Sequence, residues 1–458
     1  MEVAKGNWVG YRTLFFNKKT QQYSEDIHEV IDYNNLEIDA QGLAAYLDYG
    51  YSVFGRTPVK DVEYLLPYQS LHKDSEGLRV LKERDQTLDL LNGPSTSEHE
   101  VMDGLKSAVN NWANSFTEDI LIPTSGGFDS RLLNVLLEDK SRIHAYTYGT
   151  SADQHKSRES VYAGLLSQRL GTQWSRIDLG VFNVYMDQWY KQFGPAVAAS
   201  GTYHMEFYDK IQAAEDNNPM RLLSGIIGDA WAGAVHVPEI NAPTHYRKLG
   251  HTHGMSADSK RAIKPDYRSL VESVWESQKD ALKIPEFRII TAMRTKMMML
   301  QYLITVPEKI GYPGYSPFLD ENLALSMLRL PQNRRSDRHW QRDYFRRQNL
   351  LFEEEKHAFT YQNSLNYIAL TNEKLAPLRT DILREHFESS YLEWINRKIQ
   401  YIGPSERVFQ RLMHTPKIKG VLKLLGAKNT LIDAYFAYIT IKPIEQLLLK
   451  RDAYVKHS

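Results

Sequence analysis

The segment Leu121-Ile-Pro-Thr-Ser-Gly-Gly-Phe-Asp-Ser-Arg131 determines the fold that we predict for this chain. It includes most of a short apolar strand, Asp119 to Pro123, and a turn with two adjacent glycines. An apolar helix, predicted from Ser130 to about Leu137, follows directly. The segment therefore predicts a strand, a tight turn and a helix, which together are typical of an α/β fold.

The turn has the chemistry of an anion-binding site. Gly126 and Gly127 carry no side chain that would block a close approach. Ser125, Asp129 and Ser130 flank free backbone N–H groups at the start of the helix, where the helix dipole favours an anion. Such a turn suits a pyrophosphate group, and Asp129 is available for the magnesium ion that accompanies it. The alternative is an ordinary turn capped by Ser or Asp, but the full Ser-Gly-Gly-x-Asp-Ser pattern favours a nucleotide site.

Strands and helices continue to alternate after this segment. A second strand is predicted over Ile143 to Thr147, and a second helix from Ser157 to about Leu170, where Gly171 ends it. Gln173 to Leu179 and Arg221 to Ser224 are further strand candidates. This alternation predicts a parallel sheet, whose ligands bind beyond the carboxyl ends of the strands.

Composition excludes several classes of protein. The chain has 458 residues, 42% of them hydrophobic and 24% charged, so we expect two or three packed domains. Lys plus Arg and Asp plus Glu number 56 each, which disfavours a nucleic-acid partner. The absence of cysteine excludes disulfides, cysteine-ligated metals and a thiol nucleophile. No apolar stretch reaches the length of a transmembrane segment, and we expect a cytoplasmic protein.

The glycine turn resembles the signature of the PP-loop ATP pyrophosphatases, which cleave ATP between its α- and β-phosphates. The Gly-Lys-Ser/Thr of P-loop ATPases is missing, so γ-phosphate transfer is not implied. Further stretches, in order from about Ser97 to Phe359, resemble those of the asparagine synthetases. They are Ser224-Gly-Ile-Ile-Gly-Asp229, Pro317-Phe-Leu-Asp320, Asp337-Arg-His-Trp-Gln-Arg-Asp-Tyr-Phe345, and Lys356 with Phe359.

This resemblance implies a role for each matching residue, with ATP and Mg²⁺ as cofactors. The residues that would hold pyrophosphate are Ser125, Gly126, Gly127, Asp129 and Ser130, and those that would hold Mg²⁺ are Asp129 and Asp229. Adenine would lie near Thr147, Tyr148 and Gly149, and the ribose and α-phosphate near Ser224 and Gly225. The catalytic cations would be Arg338 and Lys356.

The chain also departs from the asparagine synthetase pattern. Glu2 stands where the family has its glutaminase cysteine, so this chain cannot hydrolyse glutamine by that route. Residues 42–71 resemble the last part of a glutaminase domain. Ile226 and Ala230 replace two acidic residues of the family, and Arg338 replaces a lysine. An arginine keeps a positive charge that stabilises an adenylate, but it cannot shuttle a proton.

The resemblance and the departures from it together predict three domains. Residues 1–95 would form a shortened, small α+β remnant of the glutaminase-like domain, and residues 96–400 the parallel-sheet ATP-binding domain of the PP-loop type. Residues 401–458 would form a helical extension, and the whole C-terminal half is predicted to be rich in helices. A capping box of Ser97 and Glu100 begins the first helix of the ATP-binding domain.

Three other groups of residues each have a structural and a functional interpretation. His245, His251 and His253 are interpreted as surface histidines rather than a zinc site. The basic, amphipathic stretch from Lys417 to Leu425 is interpreted as a helix packed on the body, with a membrane surface or acidic partner as the alternative. The arginine-rich run from Arg334 to Arg347 is a solvated helix face or holds at least one ligand for pyrophosphate or an anionic substrate.

Taken together, these residues and the resemblance predict an AMP-forming ligase that joins a carboxylate to ammonia or an amine. The substrate would be a small molecule, a surface-polysaccharide sugar acid or a peptide, and ammonia would come from solution or from a separate glutaminase. A macrocyclase similar to those that make lasso peptides or β-lactams is the enzymatic alternative. A non-catalytic nucleotide-binding subunit, supporting a biosynthetic partner, is the alternative from another class, and a tRNA-modifying enzyme is disfavoured by the balanced charge.

Overall fold

The computed structural model describes residues 1–216, 218–250, 254–360, 362–415 and 418–457. Six short strands precede the glycine turn region: β1 Glu2–Lys5, β2 Phe15–Asn17, β3 Gln22–Ser24, β4 Val62–Tyr64, β5 Gln69–Asp74 and β6 Gly77–Lys82. Five more follow: β7 Asp119–Pro123, β8 Ile143–Thr147, β9 Gln173–Arg176, β10 Met220–Leu223 and β11 Gly314–Tyr315.

The last five strands form a single parallel sheet in the order β11-β10-β7-β8-β9. β7 lies in the centre, where Leu121 is in register with His144 of β8 and with Leu222 of β10. Because β7 is covered by structure on both faces, Ile120, Leu121 and Ile122 are completely buried. The predicted α/β class and parallel sheet are confirmed.

Helices cover the sheet and make up most of the C-terminal half, as predicted. Up to the last sheet strand they are α1 Ala40–Tyr49, α2 Thr87–Leu91, α3 Glu98–Ala113, α4 Phe128–Leu136, α5 Arg158–Leu170, α6 Met186–Phe193, α7 Thr202–Ala214, α8 Gly228–Ala232, α9 Ser259–Ala262, α10 Arg268–Gln278, α11 Pro285–Leu300 and α12 Tyr302–Ile310. After it come α13 Glu321–Leu328, α14 Gln332–Arg335, α15 His339–Arg347, α16 Leu365–Asn372, α17 Thr380–Leu383, α18 Ser389–Gln400, α19 Pro404–Met413, α20 Ile418–Leu424 and α21 Thr430–His457.

Several predicted helix ends are found as expected, and others shift by a few residues. The capping box of Ser97 and Glu100 begins α3, and Gly171 ends α5 in the left-handed conformation. α4 begins at Phe128, earlier than predicted, because Gly127 takes the N-cap position. β9 ends at Arg176 rather than Leu179, whose backbone N–H and C=O instead bond to the Gln154 side chain.

The N-terminal region has the predicted α+β content. Its strands form two antiparallel sheets, β1-β5-β6 and β3-β2-β4, and Asp39 caps α1 by accepting a hydrogen bond from the Gly42 N–H. The region packs against distant parts of the chain: the Tyr46 hydroxyl donates to the Thr440 carbonyl over 2.8 Å. The predicted domain boundaries therefore stay predictions, since packing continues across them.

Among the described residues, every helix is too short or too polar to cross a bilayer.

Candidate active site

The glycine turn lies at the carboxyl end of the central strand β7 and leads directly into α4. Gly126 has a φ of +69°, and a methyl group there would come within 2.3 Å of the Tyr162 Cβ. The Gly127 N–H points at the Ser125 Oγ over 3.4 Å, and Ser125 itself is exposed. The Ser130 hydroxyl donates to the Gly127 carbonyl. The turn thus has the tight geometry and glycine requirement that the sequence predicts, with open space beside Gly127.

A buried arginine that sequence analysis did not identify braces this turn. Arg131 is fully buried, and its guanidinium donates to the Gly126 carbonyl over 2.6 Å and to the Leu350 carbonyl over 2.7 Å. It also forms a bidentate pair with Glu353 at 2.9 and 3.0 Å. Arg131 therefore ties the glycine turn to the segment after α15. An arginine within the apolar run of α4 was the sequence signal, because such a residue needs a buried partner.

Two carboxylates meet beside the turn, Asp129 from the first turn of α4 and Asp229 from α8. A methyl group on Gly228 would lie 3.0 Å from the Asp129 Cγ, and one on Gly225 would lie 3.2 Å from its Cβ. The loop after β10 can pass this close to Asp129 only because it has glycine at both positions. The predicted pair of acidic residues is therefore brought together.

The surroundings of this pair favour a cation between or beside the carboxylates. Burial raises the pKa of Asp129 well above its usual range, and the negative charge of Asp229 raises it further. Desolvation in the cleft also raises the pKa of Asp229, although its side chain retains solvent contact. The Asp129 Oδ1 has no hydrogen-bond partner among the described residues. An unpartnered, buried carboxylate oxygen is a group that a bound cation would satisfy.

Arg338 supplies positive charge to the carboxylate pair, as the sequence predicts for a site residue. Its positive charge opposes the rise in the pKa of both Asp129 and Asp229, and its Cζ lies 4.4 Å from the centre of the Phe128 ring. Asp337 and Arg338 have φ values of +51° and +56°, a left-handed pair that reverses the chain before α15. This turn directs the arginine back toward α4.

Lys296 is a second cation near the pair, and sequence analysis missed it. It lies on α11, which packs against α8, and its positive charge opposes the rise in the pKa of Asp229. Burial lowers the pKa of Lys296 itself, while Asp229 opposes that effect. Lys296 directly precedes the apolar run Met297 to Leu300 of α11, but no local pattern links it to Asp229.

Three other arginines of the arginine-rich run are engaged in ion pairs, and Arg342 donates to the Asp337 carbonyl over 3.1 Å. Arg334 pairs with Glu98 and with Asp343 over 2.7 Å, and Arg335 pairs with Glu286. Arg346 binds Glu354 and Asp343. Within this run, Arg338 is therefore the best candidate for the predicted anion-binding role.

The residues predicted near adenine follow β8 and are partly used by the fold. The Thr147 hydroxyl donates to the Thr124 carbonyl and accepts from the Trp174 indole N–H. Tyr148 is half-buried, and its ring packs against Tyr203, His204 and Phe207. A methyl group on Gly149 would lie 2.4 Å from the Gln154 carbonyl oxygen. These side chains shape the end of β8, and their role toward adenine stays a prediction.

The loop after β10 keeps Ser224 and Gly225 beside the glycine turn. The Ser224 N–H donates to the Tyr315 carbonyl over 2.8 Å, and its hydroxyl accepts from the Ile226 N–H. Ile226 and Ala230 are both buried in the apolar core. Both side chains therefore serve packing in this loop.

Lys356 is exposed on the segment after α15, where no described contact fixes its side chain. This segment passes beside α5, where the Phe359 ring lies 5.5 Å from that of Tyr162, and Tyr162 touches the glycine turn. The structure therefore brings the chain of Lys356 near the site without placing its amine there.

Within the described part of the chain, no group of three or more His, Asp or Glu side chains could hold a metal ion. Two carboxylates remain at the site, Asp129 and Asp229. That donor set fits Mg²⁺, which binds one or two protein carboxylates and takes its other ligands from water and phosphate. His245 is half-buried, while His251, His253 and Lys417 lie outside the described residues.

These observations define an α/β protein with an anion-type turn and an acidic pair at the edge of a parallel sheet. The chain matches no protein-family model and no curated protein at a significant level. It is similar to the NH3-dependent NAD synthetase from Campylobacter jejuni subsp. jejuni NCTC 11168 in complex with the nitrate ion, at 12% identity and a TM-score of 0.25, over 46% of this chain and 96% of that chain.

It is also similar to the glutamine-dependent NAD+ synthetase from Acinetobacter baumannii in complex with adenosine diphosphate. That similarity has 17% identity and a TM-score of 0.24, and it covers 51% of this chain and 41% of that chain. At TM-scores this low, neither similarity carries an argument about the site. Membership of the asparagine synthetase-like family stays a prediction.

Proposed function

We propose that this protein is an ATP-dependent carbon–nitrogen ligase that activates a substrate carboxylate as an acyl-adenylate. One observation carries the proposal: Asp129, in the first turn of the helix after the glycine turn, has a buried carboxylate oxygen without a partner among the described residues and lies beside Asp229. Such a site presents backbone N–H groups to a polyphosphate and carboxylates to its metal. Arg338 and Lys296 add positive charge where a pyrophosphate leaving group would develop negative charge.

The reaction would have two steps. In the first, an oxygen of the substrate carboxylate forms a bond to the α-phosphorus of ATP, and the bond from that phosphorus to the β-phosphate oxygen breaks. In the second, an amine nitrogen bonds to the acyl carbon, the bond to AMP breaks and the nitrogen loses a proton. Mg²⁺ held by Asp129 and Asp229 would neutralise phosphate charge. Arg338 would bind anionic oxygens throughout, because it stays protonated.

The acceptor side of the site supports a substrate other than free aspartate. Ile226 and Ala230 are buried and apolar, so they offer no carboxylate to bind an α-amino group. We therefore propose a larger carboxylate as substrate, such as a sugar acid of a surface polysaccharide or a natural-product acid. Because the chain has no cysteine, its nitrogen would come from free ammonia, an amine or a separate glutaminase.

The decisive experiment is ATP–pyrophosphate exchange across a panel of sugar acids, peptides and amino acids. We expect exchange with at least one acid, and a loss of about 100-fold or more in Asp129→Asn and in Asp229→Asn. The exchange rate of Lys296→Met is expected to fall by a similar factor, while Lys296→Arg should retain more activity. Asp280→Asn is the matched control, since Asp280 is exposed and pairs only with nearby Lys283.

Two outcomes would contradict the proposal. Tight ATP binding without exchange or AMP release on any acid would favour a nucleotide-binding subunit instead. Exchange that survives in both aspartate variants would place the chemistry elsewhere. AMP release without an added amine, with a product whose mass equals that of the substrate less one water, would identify the macrocyclase alternative.

A further inference from the structure

A helical hairpin near the C-terminus exposes apolar side chains to solvent. The hairpin consists of α19, α20 and their described flanking residues, within 401–415 and 418–428. Seven of the seventeen large apolar side chains that are exposed in the described chain lie within residues 401–425, which shows that they are concentrated there. The most exposed are Leu424, with 89% of its surface accessible, and Leu425, with 77%. Concentrated exposure of this kind marks an interaction surface.

The exposed side chains follow helical spacing. On α19 they are Val408 and Leu412, four residues apart. On α20 and just beyond it they are Ile418, Val421, Leu424 and Leu425, in which successive turns are three or four residues apart. Each helix therefore presents an apolar stripe to solvent rather than isolated apolar residues.

The opposite side of the hairpin is fixed to the body of the protein. Met413 is buried, and the His414 ring stacks on that of Tyr367 with centres 6.0 Å apart. At the base, the side chains of Gln410 and Asn429 bond to each other at 2.7 and 2.9 Å. The hairpin is thus held in place while its apolar stripes stay uncovered, so packing on the body accounts for only one of its sides.

The same segment carries a local excess of positive charge. Residues 401–428 contain six Lys or Arg and one Glu, a net charge of +5 in a chain whose formal net charge is zero. Arg407, Arg411, Lys419 and Lys428 are exposed, and among the described residues none of them lies within ion-pair distance of a carboxylate. Basic side chains beside an apolar stripe are the combination that an anionic bilayer surface attracts.

We propose that this hairpin docks the protein on a membrane surface that contains anionic lipids. The apolar stripes would enter the boundary between headgroups and acyl chains, and the lysines and arginines would contact lipid phosphates. Nucleic acid or an acidic protein would match the charge but would leave the aliphatic stripes exposed to water. This surface is independent of the glycine turn, so the proposal does not depend on the proposed ligase activity.

Vesicle co-sedimentation of the full chain tests the docking. We expect binding to phosphatidylcholine vesicles in which about 30% of the lipid is the anionic phosphatidylglycerol. Binding should weaken as the salt concentration rises, and little binding is expected to vesicles of pure phosphatidylcholine. Replacing Leu424 and Leu425 by Glu should reduce partitioning at least tenfold. Each of Lys419→Gln and Lys428→Gln should reduce it about fivefold. Val184→Glu and Lys73→Gln, at exposed positions outside the hairpin, should change nothing.

A second readout uses the absence of cysteine. Leu424→Cys offers one thiol for an environment-sensitive dye, whose emission should increase and shift to shorter wavelength with anionic vesicles. The same dye on Val184→Cys should not respond. No binding to anionic vesicles, or equal binding by the Leu424 and Leu425 variants, would overturn the proposal.

Two other occupants of the surface would also overturn it. Light scattering that shows a dimer, lost in the Leu424 and Leu425 variants and accompanied by no vesicle binding, would assign the surface to a second copy of the chain. Binding to soluble polyglutamate or DNA that matches vesicle binding and does not need Leu424 would assign it to an acidic macromolecule.

Discussion

Arg131 illustrates how a single buried charge can organise a site. Its guanidinium is completely enclosed, with its Cζ 4.6 Å from the centre of the Phe352 ring, and burial lowers its pKa while Glu353 opposes that effect. Removing one member of a buried pair leaves the other charge without compensation, which costs more than the pair contributes. The residue acts by position: it fixes the carbonyl of Gly126 and so the shape of the turn.

We therefore predict that Glu353→Ala destabilises the protein by about 3 kcal/mol and weakens nucleotide binding, because Arg131 loses its carboxylate. Glu354→Ala is the control at the next position. Its carboxylate is half-exposed and pairs with Arg346, so little change is expected. The free energy of unfolding in urea and the Kd for ATP measure the two effects. Equal stability of the two variants would contradict the bracing role of Arg131.

His204 predicts a specific dependence of stability on pH. It is buried among Tyr148, Tyr203 and Tyr302, and burial lowers its pKa to about 3. Between the unfolded value of 6.5 and this folded value, the unfolded chain binds a proton that the folded protein does not. Stability from this residue is therefore complete above pH 6.5 and declines as the pH falls toward 3.

We expect this residue to account for about 2 kcal/mol of the stability lost between pH 7 and pH 5. Urea unfolding of His204→Phe at both pH values should show a loss that is smaller by about that amount. His99→Asn, at an exposed position, should leave the loss unchanged. An equal pH dependence in the His204 variant and the unsubstituted protein would show that the imidazole is not held neutral.

At the scale of secondary structure, local patterns predicted the elements around the candidate site, and long-range contacts were beyond their reach. The β7 strand, the glycine turn and the capping box of α3 each depend on neighbouring residues, and each was found. Glu353 lies 222 positions from Arg131, and Lys296 approaches Asp229 only because α11 packs against α8. A single sequence carries no local signal for such pairings.

Gly126 in the glycine turn and Gly171 at the end of α5 form a matched pair of glycines. Gly126 and Gly171 both have a φ of +69°, but a methyl group on Gly171 meets nothing within 4 Å, whereas one on Gly126 meets Tyr162. Gly171→Ala should cost about 1 kcal/mol, the cost of the left-handed conformation alone. Gly126→Ala should cost about 1–3 kcal/mol more, because the chain must also shift away from Tyr162. Thermal unfolding measures both, and equal losses would show that the turn is not tightly packed.

At the scale of the whole molecule, the N-terminal region, the sheet and the last long helix share one hydrophobic core. That core includes Val30 and Leu47 from the N-terminal region, Leu121 from the central strand and Leu447 from α21. A backbone hydrogen bond also ties α21 to the segment before α7, since the Ala199 N–H donates to the Ile439 carbonyl over 2.9 Å. The N-terminal region therefore contributes to the packing of the part of the chain that holds the parallel sheet.

This shared core predicts that the N-terminal region, the sheet domain and α21 unfold together. Because the chain has no cysteine, single thiols can be introduced at exposed Leu81, Val184 and Val455, one in each part, and labelled with a fluorescent dye. The three labels should report the same urea midpoint, since none of the parts retains a complete core without the others. Separate midpoints, or a fragment of residues 96–458 as stable as the full chain, would show instead that residues 1–95 form an independent domain whose contacts with α21 add little.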